Sequence, residues 1–353
     1  MYPPDKPWPG TSNLNFSAGQ APAPNGVTSP LSFDGKIGFF NEAGTVNLIA
    51  DIVGYYEQSG SAPGGIVSGN CSAILRWDLP ECKEAFFATG DSPHGVAFDG
   101  TSIWVANNGS NTVSKINPAT GAKVDFATGV GPRGVAFDGT SIWVTNGGAS
   151  TVSKINPATG TKVDFLTGSS PQGIAFDGNN IWVANGGSNT VSKINPATGA
   201  KVDFPTGNGP EAVAFDGHWI WVAEYGDDVV TQYHPISGTA GSSYAAGDEP
   251  QGIAFDGVHL WVTAGAENEV NRINVVTGAT DTFATGLNPW GVAFDGTHIW
   301  VVNNNSLSVS KFVAATGARA DFDIGLSPVG VAFDGSNVWV TNAADDTVGR
   351  VVP

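Results

Sequence analysis

The sequence predicts an all-β protein: a seven-bladed β-propeller with four antiparallel strands per blade, preceded by a small N-terminal β-module. Three observations predict it. First, a 39-residue unit is written almost letter for letter from residues 93, 132 and 171 and then in looser copies, so that a Phe-Asp-Gly landmark falls at Phe98, Phe137, Phe176, Phe215, Phe255, Phe294 and Phe333, spaced 39, 39, 39, 40, 39 and 39. Second, each unit divides into four short runs rich in Val, Ile, Phe and Trp, separated by Gly, Asn, Asp and Pro. Third, the last unit stops short of its fourth run, and a run that matches it precedes the first unit. A fixed period of about 40 residues made of four strands describes a propeller blade, and no run is long or periodic enough for a helix.

The elements follow in order within one unit. Gly-Val-Ala-Phe is the first strand, closed by Asp-Gly, and the aspartates Asp99, Asp138, Asp177, Asp216, Asp256, Asp295 and Asp334 are expected to hold that turn rather than to form a ring of catalytic carboxylates. Ile-Trp-Val is the second strand. Its tryptophans, Trp104, Trp143, Trp182, Trp221, Trp261, Trp300 and Trp339, occur once per blade in an apolar run, where a large aromatic fills the wedge between sheets. Thr-Val-Ser-Lys-Ile, followed by Pro-Ala-Thr-Gly, is the third strand, and Lys-Val-Asp-Phe the fourth. The seventh copy ends at Pro353, which aligns with Pro118, just before a fourth strand. The stretch Ala85 to Gly90 matches Val124 to Gly129, so residues 84–90 are expected to supply the closing strand and hide two open sheet edges. The propeller is thus placed at residues 84–353.

Residues 1–60 have another texture, short alternating strands without the 39-residue period, and form the small β-module. Residues 61–83 are a linker carrying the two cysteines, Cys71 and Cys82. A disulfide between them suits an oxidising compartment, and free thiols remain the alternative. The net charge of −17 opposes binding to nucleic acid or to an anionic membrane, both of which select clustered Lys and Arg. Lys115, Lys154 and Lys193 recur by repetition and make no basic patch. No stretch of 18 apolar residues is present to span a membrane, and the N-terminal MYPPDKPWPG lacks the charged start and apolar core of a secretory signal.

The segments TSNLNFSAGQ and GKIGFFNEAGTVNLIADIVGYY resemble the latter half of a β-domain of secreted, often multidomain, actinobacterial proteins. In that family a comparable length of strand-forming sequence precedes the Ser-Asn-Leu-Asn stretch. Met1 is then a cloning boundary, a misassigned start or the true start of a half-domain whose unpaired strands invite self-association. The repeat PRGVAFDGTSIWVTNGGASTVSKINPATG resembles NHL and Tyr-Val-Thr-Asn surface-protein propellers and, more distantly, the streptogramin (virginiamycin B) lyase group. The resemblance covers about three quarters of the chain, implies the fold, and leaves the function open, because such propellers include enzymes, binders and wall proteins.

One position varies against the repeated background. The residue that follows Pro at the entry to the first strand is His94, Arg133, Gln172, Glu211, Gln251, Trp290 and Val329 in turn. This loop and the one after Trp-Val are expected to share the face around the channel mouth. Either a ligand dictates this position or nothing does. The fourth and fifth copies depart furthest, with Glu211, Glu224, Tyr225, Asp227 and Asp228, then Asp248, Glu249, Glu267 and Glu269, all read as loop residues of that face. They suggest either a site for a cation, an amine or a basic protein patch, or a solvated acidic rim. The ligand-binding candidates are His94, Arg133, Gln172, Glu211, Glu224, Tyr225, Gln251 and Trp290.

The lyase resemblance implies a His in one inner loop, a Glu and a His in another, and a metal ion nearby. Only His94 matches. His218, His259 and His298 fall in the turn after Phe-Asp-Gly, and His234 replaces the Asn of Asn-Pro-Ala-Thr-Gly, all on the opposite face. There is no zinc-ligand spacing, phosphate loop, Gly-x-Ser-x-Gly or Asp-x-Asp-x-Asp-Gly, so no metal or cofactor is expected. The sequence therefore points first to a non-enzymatic, secreted or surface-displayed binding or structural repeat protein of an extracellular assembly, with a protein or glycan ligand. The alternative is a lyase-like enzyme or small-ligand binder using His94, Glu211 and Glu224 at the mouth.

Overall fold

The structure, a computed structural model, describes residues 84–352; the N-terminal module, the linker and the Cys71 and Cys82 pair lie outside the described residues. Among the described residues there is no helix, and hence none long and apolar enough to cross a membrane. The strands form seven four-stranded antiparallel sheets. Blade 1 runs through β2 (Pro93–Phe98), β3 (Ile103–Asn107), β4 (Thr112–Ile116) and β5 (Lys123–Ala127) in that spatial order. Blades 2 to 6 repeat it as β6–β9 (residues 132–166), β10–β13 (171–205), β14–β17 (210–245), β18–β21 (250–284) and β22–β25 (289–323). Blade 7 supplies only β26 (Pro328–Phe333), β27 (Val338–Asn342) and β28 (Thr347–Val351), and its fourth strand is β1 (Glu84–Ala88), paired antiparallel with β28 from Glu84 opposite Val351 to Ala88 opposite Thr347.

The core lies between blades rather than within them. All seven repeat tryptophans are wholly buried. Trp104 packs with Ala106 and Val113 of its own blade and with Ile142, Val144 and Ile155 of the next, and the same cluster recurs around the ring. Each indole N–H donates to the turn aspartate of its own blade, as Trp104 Nε1 does to Asp99 Oδ2 at 2.7 Å, while Asp99 Oδ1 accepts the backbone N–H groups of Thr101 and Ser102. The aspartates therefore hold the turns, as the sequence suggests, and satisfy the one polar atom of the buried indole as well.

Cations complete the lock. Lys115 Nζ lies 5.4 Å from the Trp104 ring centroid and donates to the Pro157 carbonyl in the turn of blade 2. Lys154 reaches Pro196 in the same way, Arg272 reaches Ala314, and Arg350 of blade 7 reaches Pro118 of blade 1. The repeated basic residues are thus inter-blade clamps over aromatic faces. That is the physical reason they form no basic patch.

Candidate functional site

The first strand of every blade lines the central channel, touching the first strands on either side, as β2 touches β6 and β26. Its ladder with the second strand breaks at one place. In blade 1 Pro93 pairs with Asn107 and the register resumes only at Val96 opposite Val105, so His94 and Gly95 leave the ladder. The same break recurs in every blade, between Pro132 and Val135 in blade 2 and between Pro289 and Val292 in blade 6. Such a bulge frees one side chain from the face of the sheet and re-aims it. Here it turns the variable residue toward the channel.

The glycine that follows permits close approach of neighbouring blades. A Cβ on Gly95 would collide with the Arg133 carbonyl, and one on Gly330 with that of His94. In blades 2, 5 and 7 a threonine stitches the contact: Thr145 Oγ1 accepts the Gly134 N–H at 2.7 Å and donates to the Gln172 carbonyl at 2.7 Å, with Thr263 and Thr341 doing the same toward Trp290 and His94. Blade 4 departs, carrying Ala212 where the others carry glycine. Its ladder resumes one residue earlier, Ala212 opposite Ala223, which leaves only Glu211 bulged.

The seven variable residues converge. His94, Arg133, Gln172 and Glu211 line one cavity of about 370 Å³ at the channel mouth, together with Gln251, Trp290, Val329 and, from the next loop of blade 4, Tyr225. The next residues of the first strands, six glycines and Ala212 followed by Val or Ile side chains, ring a second cavity of about 190 Å³. Around the ring, blades 6, 7 and 1 present Trp290, Val329 and His94, an aromatic and apolar arc. Blades 2 to 5 present Arg133, Gln172, Glu211, Tyr225 and Gln251, a polar arc. The His94 and Trp290 ring centroids lie 6.1 Å apart, and the buried Trp290 indole N–H has no acceptor among the described residues.

Burial sets the charge state of the mouth. It pushes the Glu211 carboxyl up to about 7 in spite of the Arg133 charge. Burial, helped by Arg133, pulls the His94 imidazole down to about 4, so His94 is neutral at physiological pH. Arg133 Nη1 donates to Gln172 Oε1 at 2.7 Å and makes no ion pair among the described residues. The Tyr225 phenol is held above its ordinary value by burial and by the nearby charges of Glu249, Glu211 and Asp228.

Glu224 lies elsewhere. It is the last residue of its strand, paired with Val229, and is buried inside blade 4 rather than in a loop at the mouth. Its Oε1 accepts from Tyr233 and its Oε2 from Thr231, both at 3.0 Å. It occupies the place of Asn107, Asn146 and Asn185 in the first three blades, and strand alternation points it into the sheet stack. The remaining acids are mostly loop caps. Asp227 accepts the Asn208 N–H, Asp228 the Glu249 N–H and Glu267 the Asp248 N–H, while Glu269 opens a strand. On the opposite face His234 Nδ1 accepts the N–H groups of Ile236 and Ser237, the turn role of Asn117 in blade 1, and His259 and His298 sit against their turn aspartates. Among the described residues no group of three or more His, Cys, Asp and Glu is placed to hold a metal ion.

No protein-family model matches the sequence, and no curated relative does. Solved structures do match the propeller. A catalytically inactive variant of virginiamycin B lyase from Staphylococcus aureus with quinupristin superposes with a TM-score of 0.67 at 18% identity, covering 76% of this chain and 99% of that one. A streptogramin B lyase gives 0.66 at 19% identity over 76% and 96% of the two chains. Kuenenia stuttgartiensis hydrazine synthase gives 0.67 at 19% identity over 76% and 97%. At these identities the likeness is one of fold.

Proposed function

We propose that this chain is a non-enzymatic binding ring, secreted or displayed at a surface, that holds a ligand at the channel mouth and serves in an extracellular assembly. One observation carries the reading. The only first-strand position that the repeats leave free is the position the bulge turns inward, and its seven occupants line a single cavity. Drift at scattered exposed loops needs no such convergence, and a polar and aromatic cavity of this size suits a small ligand or the tip of a peptide or glycan. A library of small molecules, short peptides and glycans screened by thermal shift tests it. Ligands should raise the melting temperature of the wild type and fail to do so when Arg133→Ala and Trp290→Ala are combined; hits untouched by that double substitution would place binding elsewhere. The assembly role rests on the N-terminal module and is checked by light scattering of the full chain, where a monomer at every concentration counts against it.

Glu211 supports a second reading, a lyase-like enzyme. A carboxyl that titrates near 7 in a cleft is matched to proton transfer at neutral pH. Turnover of cyclic depsipeptides such as quinupristin, lost in Glu211→Gln, is its expected sign. Turnover that survives both Glu211→Gln and His94→Ala would dismiss it.

A further inference from the structure

We infer that the mouth takes a zwitterionic, amino-acid-like ligand, an α-amino acid or short peptide with an aromatic or broad apolar side chain, its carboxylate at Arg133 and its ammonium toward Tyr225 and Glu249. The inference deepens the binding reading above and rests on it.

Three chemistries stand on three arcs of one small cavity. On blade 2, Arg133 is the only cationic side chain of the lining, and Gln172, its one hydrogen-bond partner, is neutral. Glu211 shares the cavity and feels the Arg133 charge, but burial holds its carboxyl up to about 7 and it makes no ion pair with the guanidinium. A guanidinium in a partly desolvated cleft without such a pair is a receptor for an anion, and it favours one it can grip with two N–H groups. Across the ring, at blades 4 and 5, Tyr225 lines the cavity, where burial and the nearby carboxylate charges of Glu249, Glu211 and Asp228 hold its phenol above the ordinary value, and the Glu249 backbone N–H is fixed at 3.0 Å by Asp228 Oδ1. That side presents negative potential behind a phenol, the pairing that attracts an ammonium. Between them on the remaining arc, the Trp290 and His94 rings flank Val329, and His94 is neutral, so the wall is apolar in charge and aromatic in shape.

Simpler ligands leave part of this unmatched. A bare anion satisfies Arg133 and is repelled from the Glu249 side. A polyamine does the reverse, and a neutral sugar leaves both charges unanswered and the aromatic wall half used. A molecule with a carboxylate and an ammonium separated by one or a few carbons, and an apolar branch, meets all three. The cavity of about 370 Å³ holds a single residue or a dipeptide.

Calorimetry on the full chain with L-phenylalanine, N-acetyl-L-phenylalanine, L-phenylalaninamide and 2-phenylethanol tests the assignment. L-Phenylalanine should bind at least tenfold more tightly than each of the other three. Arg133→Gln should bring its affinity level with that of the amide, Arg133→Lys should restore part of the gap, and Glu249→Gln should bring it level with that of the N-acetyl compound. Melting curves of the variants verify that the ring is intact. If the N-acetyl compound binds as well as the free amino acid the amine is not read; if the amide does, the carboxylate is not read; if none of the four binds, the ligand class is wrong. Each result overturns this inference. The mouth itself as a binding site is judged separately, since a library ligand of another class that Arg133→Ala with Trp290→Ala abolishes would keep that reading while this one falls.

Discussion

Glu211 and His94 face the same Arg133 charge, yet burial moves them in opposite directions, to about 7 and about 4. Each shift is linked to stability. Glu211 has a folded value above its unfolded one, so it binds more protons folded, and its contribution is present below about pH 4.5 and lost as pH rises through 7. His94 has a depressed value, so its contribution is present above about pH 6.5 and lost as pH falls toward 4. Each is worth roughly 2 kcal/mol after allowance for solvent screening, and between about pH 4.5 and 6.5 they cancel. Glu211→Gln should therefore be a protein whose melting temperature rises with pH across that window, and His94→Gln one whose melting temperature falls; superimposable pH profiles for the two variants and the wild type would remove both burial arguments. The turn aspartates Asp99, Asp138, Asp256, Asp295 and Asp334 do not intrude. Burial raises their carboxyls, but the indole and turn donors together pull them below the ordinary value, so their linked stability is complete before the window opens. Leu307 offers a separate test. It adopts φ +54°, where Asn111, Asn189, Asp228, Asn268 and Asp346 stand in other blades and accept a backbone N–H of the next blade, as Asn111 does from Gly131. Leucine gains nothing there and bears the left-handed strain. Leu307→Asn should stabilise the protein by about 1 kcal/mol, read as a higher urea midpoint with an unchanged slope.

At the scale of elements, the turn before the fourth strand joins two blades. Asn156 Oδ1 accepts the N–H groups of Ala158 and Thr159, and Gly160 closes the turn at φ +72° with the Phe126 ring of the preceding blade against its Cα. Phe126 in turn stacks on Trp104 at 5.6 Å. The glycine is therefore needed twice, for its backbone angle and for the space a Cβ would take from the ring. Gly139, in the Asp-Gly turn, has φ +90° and nothing near its missing Cβ, which separates the two costs. Gly139→Ala should lose about 1 kcal/mol from backbone strain alone, and Gly160→Ala at least about 1 kcal/mol more from the displaced ring. Equal urea denaturation midpoints for the two would show that Phe126 yields freely and that the inter-blade contact is loose.

For the whole molecule, the period and strand chemistry were enough to place seven blades, because every repeat states the same four strands and turns. The mouth was legible for a related reason: a varying residue inside an invariant frame marks a position the frame does not dictate, as His94, Arg133 and Trp290 do. What could not be read is where a strand ends and which way its last side chain points. Glu224 looks like a loop acid in sequence, but pairing with Val229 extends the strand through it and buries it beneath Tyr233. Nor does sequence alone reveal that Lys115 lies over Trp104, since the contact depends on twist between strands. Ring closure follows from a physical demand, that two open sheet edges find each other, and its weakest joint follows from connectivity. β5 and its equivalents are tied to their blades by a short turn, whereas β1 is joined to β28 by backbone pairing and side-chain packing alone. Phe87 is its anchor, 5.2 Å from Trp339, beneath the Arg350 guanidinium and against Gly121 of blade 1. Phe126 is its chemical equivalent in blade 1. Phe87→Ala and Phe126→Ala each remove a half-buried ring from a tryptophan and should each cost about 3 kcal/mol, but only the first should unfasten the ring. Hydrogen exchange should then show residues 84–88 and 347–351 opening together, well below the free energy of global unfolding, while Phe126→Ala leaves those amides as protected as global unfolding allows. Protection of residues 84–88 that is lost equally in both variants would mean that the closing strand is held no differently from any other, and that the ring opens anywhere.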